Sequence, residues 1–140
     1  MAREYVGAQI AVAWEPALCI HAGECVRGMP DVFNTDARPW IAIDQAAGRA
    51  DILAEVIRRC PSGALHTRRL DGEAKEAAAA PVIVAVQRDG LLYIRGDLEI
   101  RDASGGMIRR EVRAALCRCG DSANKPSCDN SHIAAGFQAP

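Results

Sequence analysis

An α+β fold in two small modules is predicted by three observations. In the first half, Ile52, Leu53, Val56 and Ile57 recur at the i, i+1, i+4, i+5 spacing of one helix face. The second half changes to short β-branched runs separated by Asp-Gly and Ser-Gly-Gly turns. The six cysteines fall into two groups: Cys19, Cys25 and Cys60 in the first half, Cys117, Cys119 and Cys128 in the last quarter. Between the groups lies Ala74 to Ala80 (AKEAAAA), closed by the helix-breaking Pro81. It reads as a short helical connector, alanine being the best helix former, between a module at 1–73 and a module at 81–140.

Taken in order, the first module opens with a predicted strand over Tyr5–Trp14. A loop from Cys19 to Cys25 leads into a short helical turn ending at Pro30, and Trp40–Ile43 reads as a short strand. The helix predicted over Asp51–Arg59 ends at Cys60-Pro61, with Gly63 in the following turn. In the second module, strands are predicted over Val82–Val86, Leu91–Arg95, Leu98–Arg101 and Ile108–Leu116, with turns at Asp89-Gly90 and Ser104-Gly105-Gly106. After Cys117 the periodicity is lost in a loop of Gly, Asp, Ser, Asn, Lys and Pro, and Ile133–Phe137 reads as one short helix. Modules this small bury little apolar surface and commonly need a metal or a disulfide staple.

Composition narrows the function. A net charge of -1 with scattered arginines gives no basic footprint for nucleic acid or an anionic membrane. The longest apolar stretches, Tyr5–Trp14 and Ala77–Val86, fall short of the ~18 residues a membrane span needs. Glu4 stands directly before the first of them and no cleavage site follows, so a cytoplasmic location is expected. Disulfides are rare in that compartment, which turns six cysteines toward metal or redox chemistry.

The segment 117–132 reads CRCGDSANKPSCDNSH, three thiols and an imidazole in sixteen residues of polar loop. Inert structural cysteines sit instead among apolar residues. A Cys3His set holds tetrahedral zinc, or iron with bridging sulfide. Zinc sites usually present C-x2-4-C knuckles, whereas Cys117 and Cys119 are one residue apart. That spacing leaves both free to bind one iron, with Cys128 and His132 on a second.

The segment closely resembles the CDGSH iron–sulfur domain. That family's pattern is met at Cys117, Cys119, Ser122, Pro126, Cys128, Asp129, Ser131 and His132, with every gap of the right length. Asn130 stands where the family has glycine, and asparagine is the non-glycine residue most at ease with φ > 0. The resemblance covers roughly residues 81–140 and implies a 2Fe–2S cluster held by Cys117, Cys119, Cys128 and His132. Around it, Asp129 is placed to N-cap the terminal helix, whose positive end favours an anionic centre. Ser122 is placed to donate a hydrogen bond to a sulfur, and Pro126 to stiffen the loop.

Cys19-Ile-His-Ala-Gly-Glu-Cys25 is C-x5-C, and Cys60 precedes Pro61. Ferredoxin clusters commonly use C-x2-C-x2-C with a distant Cys-Pro, and here Ala22 takes the central cysteine position. With Pro30, Phe33 and CPSGA at 60–64, residues 5–70 resemble the divergent single-cluster ferredoxins of bacteria. The resemblance implies a 3Fe–4S cluster on Cys19, Cys25 and Cys60, or a 4Fe–4S cluster with His21 as nearest fourth ligand; His66 is a weaker candidate.

A small ferredoxin-like α/β module followed by a β-rich CDGSH module is therefore expected to act in electron transfer or redox sensing. Its partner would be a redox protein, or an apo-protein acceptor if the chain donates its 2Fe–2S cluster; a structural zinc-binding interaction module is the remaining alternative. No nucleophile with an orienting base is recognisable, so no enzymatic turnover is expected. The CDGSH resemblance further implies a homodimer through the β region; no nucleic-acid or membrane partner is expected.

Overall fold

The structure, a computed structural model, describes every residue from Met1 to Pro140. The fold is α+β, with two three-stranded antiparallel sheets and short helices. The chain divides into two compact units. The first comprises Met1–Ala17, His21–Cys60 and Ala64–Glu76; the second comprises Leu18–Ile20, Pro61–Gly63 and Ala77–Pro140. No helix is long and apolar enough to cross a membrane.

In the first unit, β1 (Arg3–Val6), β2 (Ile10–Trp14) and β3 (Leu65–Arg69) form a sheet in the order β1-β2-β3. The single strand expected over Tyr5–Trp14 is two. The chain turns at Gly7, whose N–H donates to Ile10 O at 3.0 Å, so β1 folds back on β2. β3 is absent from the sequence reading, because its LHTRR sequence carries no apolar alternation. It is held through Arg69, whose guanidinium pairs with both carboxylate oxygens of Asp71 (3.0 and 2.5 Å) and with Asp51 at 2.7 Å. The Arg69 charge beside Asp71 holds that carboxyl below its usual range.

Helix α1 (Glu24–Gly28) begins after Gly23, which caps it at φ 78°, a backbone position that costs a glycine nothing. Helix α2 (Ala50–Arg58) falls where the periodicity predicts. Its buried face of Leu53, Val56 and Ile57 joins Ile10, Val12, Phe33 and Leu65 in one apolar core. Each such side chain, fully buried, contributes roughly 1.5–3 kcal/mol. The strand expected over Trp40–Ile43 reduces to one bridge, Phe33 with Ile41, followed by a 3-10 turn at Ile43–Ala46. The connector 74–80 forms no helix: an exposed seven-residue run without a packed face is too short to nucleate one.

The second unit is a meander of β4 (Ile83–Val86), β5 (Leu92–Arg101) and β6 (Met107–Leu116), ordered β4-β5-β6. The two strands expected at 91–95 and 98–101 are one, with a register irregularity between Arg95 and Leu98 at Gly96. All four β4 residues are exposed, as are Val82, Met107 and Ile108. The buried apolar set is small: Leu18, Ile20, Leu91, Ala114, Ala115 and Cys128. Beside it lie buried Glu111, Arg113, Ser122, Ser127 and His132. The terminal helix α3 is the single turn Ser131–Ala134, shorter and earlier than the expected Ile133–Phe137.

Candidate metal centres

The C-terminal centre is built on the end of β6. Leu116 bridges Ser127; Cys128 N donates to Ala115 O and Cys117 N to Pro126 O, both at 2.9 Å. Residues 126–128 thus run antiparallel to the strand end, bringing Cys117 and Cys128, eleven positions apart in sequence, onto neighbouring backbone.

The four donors form two pairs. Cys117 Sγ lies 3.7 Å from Cys119 Sγ, and Cys128 Sγ lies 3.7 Å from His132 Nδ1. No three His, Cys, Asp or Glu side chains anywhere in the chain converge on a point where they could hold one ion.

Backbone N–H groups point at the sulfurs. Gly120 N donates to Cys117 Sγ at 3.3 Å, Asp121 N to Cys119 Sγ at 3.4 Å, and Asn130 N to Cys128 Sγ at 3.3 Å. Burial works against ionisation of Cys117, but the amides of Ser122 and Gly120 and the neighbouring Cys119 outweigh it and hold the thiol below its usual range. At Cys128 burial dominates, and with the nearby Cys117, Asp129 and Cys119 it pushes the thiol up against the one Asn130 amide. Such a thiol is deprotonated when a metal supplies the opposing charge.

The supporting residues differ in detail from the sequence reading. The Ser122 hydroxyl does not reach a sulfur: it donates to Ser127 O at 2.6 Å and accepts from Asn124 N at 3.0 Å, closing the loop, while its backbone amide serves Cys117. Asp129 is not the N-cap of α3. Asn130 takes that position at φ 69°, the left-handed conformation expected of a glycine substitute. Asp129 instead accepts from the Ser131 hydroxyl, from Ala123 N at 2.9 Å and from Ser131 N at 3.0 Å, which together lower its pKa to about 2. A four-residue helix has no appreciable dipole, so the donors near the sulfurs are individual amides. Pro126 lies inside the paired segment and supplies its carbonyl to Cys117.

Sequence reasoning passed over the Asn130 side chain and Arg118. Within the second unit, Asn130 Nδ2 donates to Ile20 O at 2.8 Å, a contact no glycine can make. Arg118 gives one signal, its position between two donors.

His132 lines an open groove of about 380 Å³ with Ile133, Phe137 and the turn Gln87–Asp89.

Of the N-terminal candidates, Cys25 lies in α1, Cys60 follows α2, and Cys19 falls in the Leu18–Ile20 stretch grouped with the second unit. All three are half-buried and none is in a disulfide. His21 is exposed at φ 57°, and His66 lies half-buried in β3.

Residues 5–70 match the family described as "Divergent 4Fe-4S mono-cluster", and residues 89–133 match the family described as "Iron-binding zinc finger CDGSH type". The "Uncharacterized protein YjdI" of Escherichia coli (strain K12) is 42% identical over 66 residues, 47% of this chain and 84% of that protein. Its counterpart in Escherichia coli O157:H7 aligns with the same figures. This is an iron–sulfur protein, belonging through its N-terminal part to the divergent 4Fe-4S mono-cluster family and carrying a CDGSH-type module behind it.

Proposed function

We propose that the chain is a two-cluster electron carrier of a reducing compartment, the cytoplasm, with a 2Fe–2S cluster on Cys117, Cys119, Cys128 and His132. The pairing of donors carries this reading. Two donors on one tetrahedral metal, each about 2.1–2.3 Å from it, lie roughly 3.4–3.8 Å apart. Both observed pairs, at 3.7 Å, have that spacing. Two metals with two donors each match this arrangement. Amide hydrogens on all three sulfurs suit an anionic cluster.

The N-terminal cysteines supply three thiolates, which suits a 3Fe–4S cluster, or a 4Fe–4S cluster completed by His21. The chain then turns over no substrate; it passes electrons to a redox partner.

Iron and acid-labile sulfide counts, with EPR on oxidised and reduced protein, test the assignment. About five or six irons per chain are expected, two of them at the C-terminal centre. Replacing Cys19, Cys25 and Cys60 together by serine should leave about two. An unchanged count removes the N-terminal cluster, and a colourless, zinc-loaded protein removes both.

One observation favours a second reading, cluster donation to an apo-protein. His132, the single non-thiolate donor, lines the open groove where an incoming ligand would compete with it. We also propose a homodimer through the second unit, supported by the exposed apolar β4 edge.

A further inference from the structure

Arg118 lies between Cys117 and Cys119, and its guanidinium is spread over backbone carbonyls from two distant places in the chain. Nε donates to Gly90 O at 3.0 Å and Nη2 to Gln87 O at 2.8 Å, both in the turn between β4 and β5. Nη1 donates to Pro140 O at 3.1 Å, and Nη2 reaches Ala139 O at 3.5 Å, both in the segment after α3. The guanidinium carbon sits 5.2 Å from the centre of the Phe137 ring, within cation–π range. A second tie joins the same two places: Asp89 N donates to Ala139 O at 2.8 Å, and Ala139 N donates to Asp89 Oδ1 at 2.9 Å.

These contacts reach both halves of the donor set. Fixing the side chain of residue 118 fixes the backbone that carries Cys117 and Cys119. The segment it grips begins at Phe137, whose N–H donates to His132 O at 3.1 Å. One planar fork therefore connects the first donor pair to the histidine of the second. Lysine has no such fork; its ammonium is a single point of donation and cannot span the turn and the segment together.

We infer that Arg118 is the positioning residue of the C-terminal centre: it holds the Cys117–Cys119 pair in place relative to His132 and so sets how slowly the centre releases its metal. The inference rests on the 2Fe–2S reading above. Full-length holoprotein is challenged with a chelator at neutral pH, and loss of the visible absorbance is timed. Iron and sulfide counts on the wild type come first; if the C-terminal centre holds neither, the cluster reading falls, before any variant is made.

With the cluster established, Arg118→Ala and Arg118→Lys should each lose it about tenfold faster. Asp89→Ala, which removes the side-chain half of the second tie and leaves Arg118 whole, should lose it a few-fold faster. Amide exchange at Asp89 and Ala139 should rise in the Arg118 variants, a readout independent of the metal. If exchange rises while cluster loss keeps the wild-type rate, Arg118 braces the turn alone and the inference is overturned. If Arg118→Ala does not fold, Arg118→Lys and Asp89→Ala decide it: wild-type retention in both overturns the inference, and faster loss sustains it.

Discussion

The two units hold themselves together by different means. The first has an apolar core of twelve buried residues drawn from α2, from β2 and β3 and from the segment 29–46, with Phe33, Leu53 and Ile57 fully enclosed. The second has a comparable number of residues but a thin apolar set, and its largest fully buried side chain is Arg113. Arg109, Glu111 and Arg113 alternate along one face of β6; Arg109 Nε lies 3.3 Å from Glu111 Oε1, and its Nη1 donates to Ser127 Oγ at 3.1 Å. Buried charges in such a network break roughly even at best against apolar packing. We therefore expect the first unit to stand on its packing and the second to draw its stability from what its donors bind.

The largest effect should come from taking the metal away. Anaerobic chelation should unfold the second unit while amides in α2 and β2 stay protected from hydrogen exchange. A structural metal contributes on the order of 10 kcal/mol, comparable with the whole stability of a small domain. The converse perturbation is Leu53→Ala, which should destabilise the first unit by about 2–5 kcal/mol and leave the C-terminal absorbance unchanged. A second unit that keeps its dispersed amide spectrum without metal would break the comparison.

A smaller effect isolates the weakest donor. His132 would ligate through a neutral ring nitrogen, so protons compete with the metal for it, and acid should release this cluster faster than one held by thiolates alone. Asp129 cannot cause that loss. With a folded pKa of about 2, its contribution is complete above the ordinary carboxylate pKa near ~3.9 and fades only as pH falls toward 2. His132→Cys should therefore slow loss at mildly acid pH. It also adds a negative charge, which should lower the C-terminal potential by on the order of 100 mV and leave the N-terminal signal alone. Unaltered acid sensitivity and potential would show that His132 is not a ligand.

The smallest effect concerns β4. Ile83, Val84 and Val86 are each about half exposed, and a second copy would give the thin unit further apolar burial. Val84→Lys should weaken self-association about tenfold or more in sedimentation equilibrium. A wild-type chain that sediments as a monomer at all concentrations ends the proposal.

The C-terminal donors were legible because their spacing lies within sixteen residues and each gap has a local meaning. Helix α2 and the Asp89-Gly90 turn were legible for the same reason. β3 was not, because its place is decided by pairing with β2 and by Arg69 gripping Asp51 and Asp71, far from any local pattern. Nor was the break at Gly7, where a single residue turns one apolar run into two strands. The alanine-rich connector misled in the other direction: its intrinsic preference is strong, but seven residues are too few to nucleate a helix. At the C-terminal centre, donor identities could be read locally, while the destinations of the Ser122 hydroxyl, the Asp129 carboxylate and the Arg118 fork depend on chain segments that only the fold brings near.

Position 130 couples a backbone requirement to a side-chain contact. The loop demands a left-handed backbone there, which glycine supplies and asparagine accepts. Once asparagine is in place, its amide acquires Ile20 O as a partner. Glycine would keep the backbone shape but lose that hydrogen bond, and alanine would fail on both counts. The residue at position 130 thus answers to two demands at once, a left-handed backbone and a hydrogen bond to a segment more than a hundred positions away.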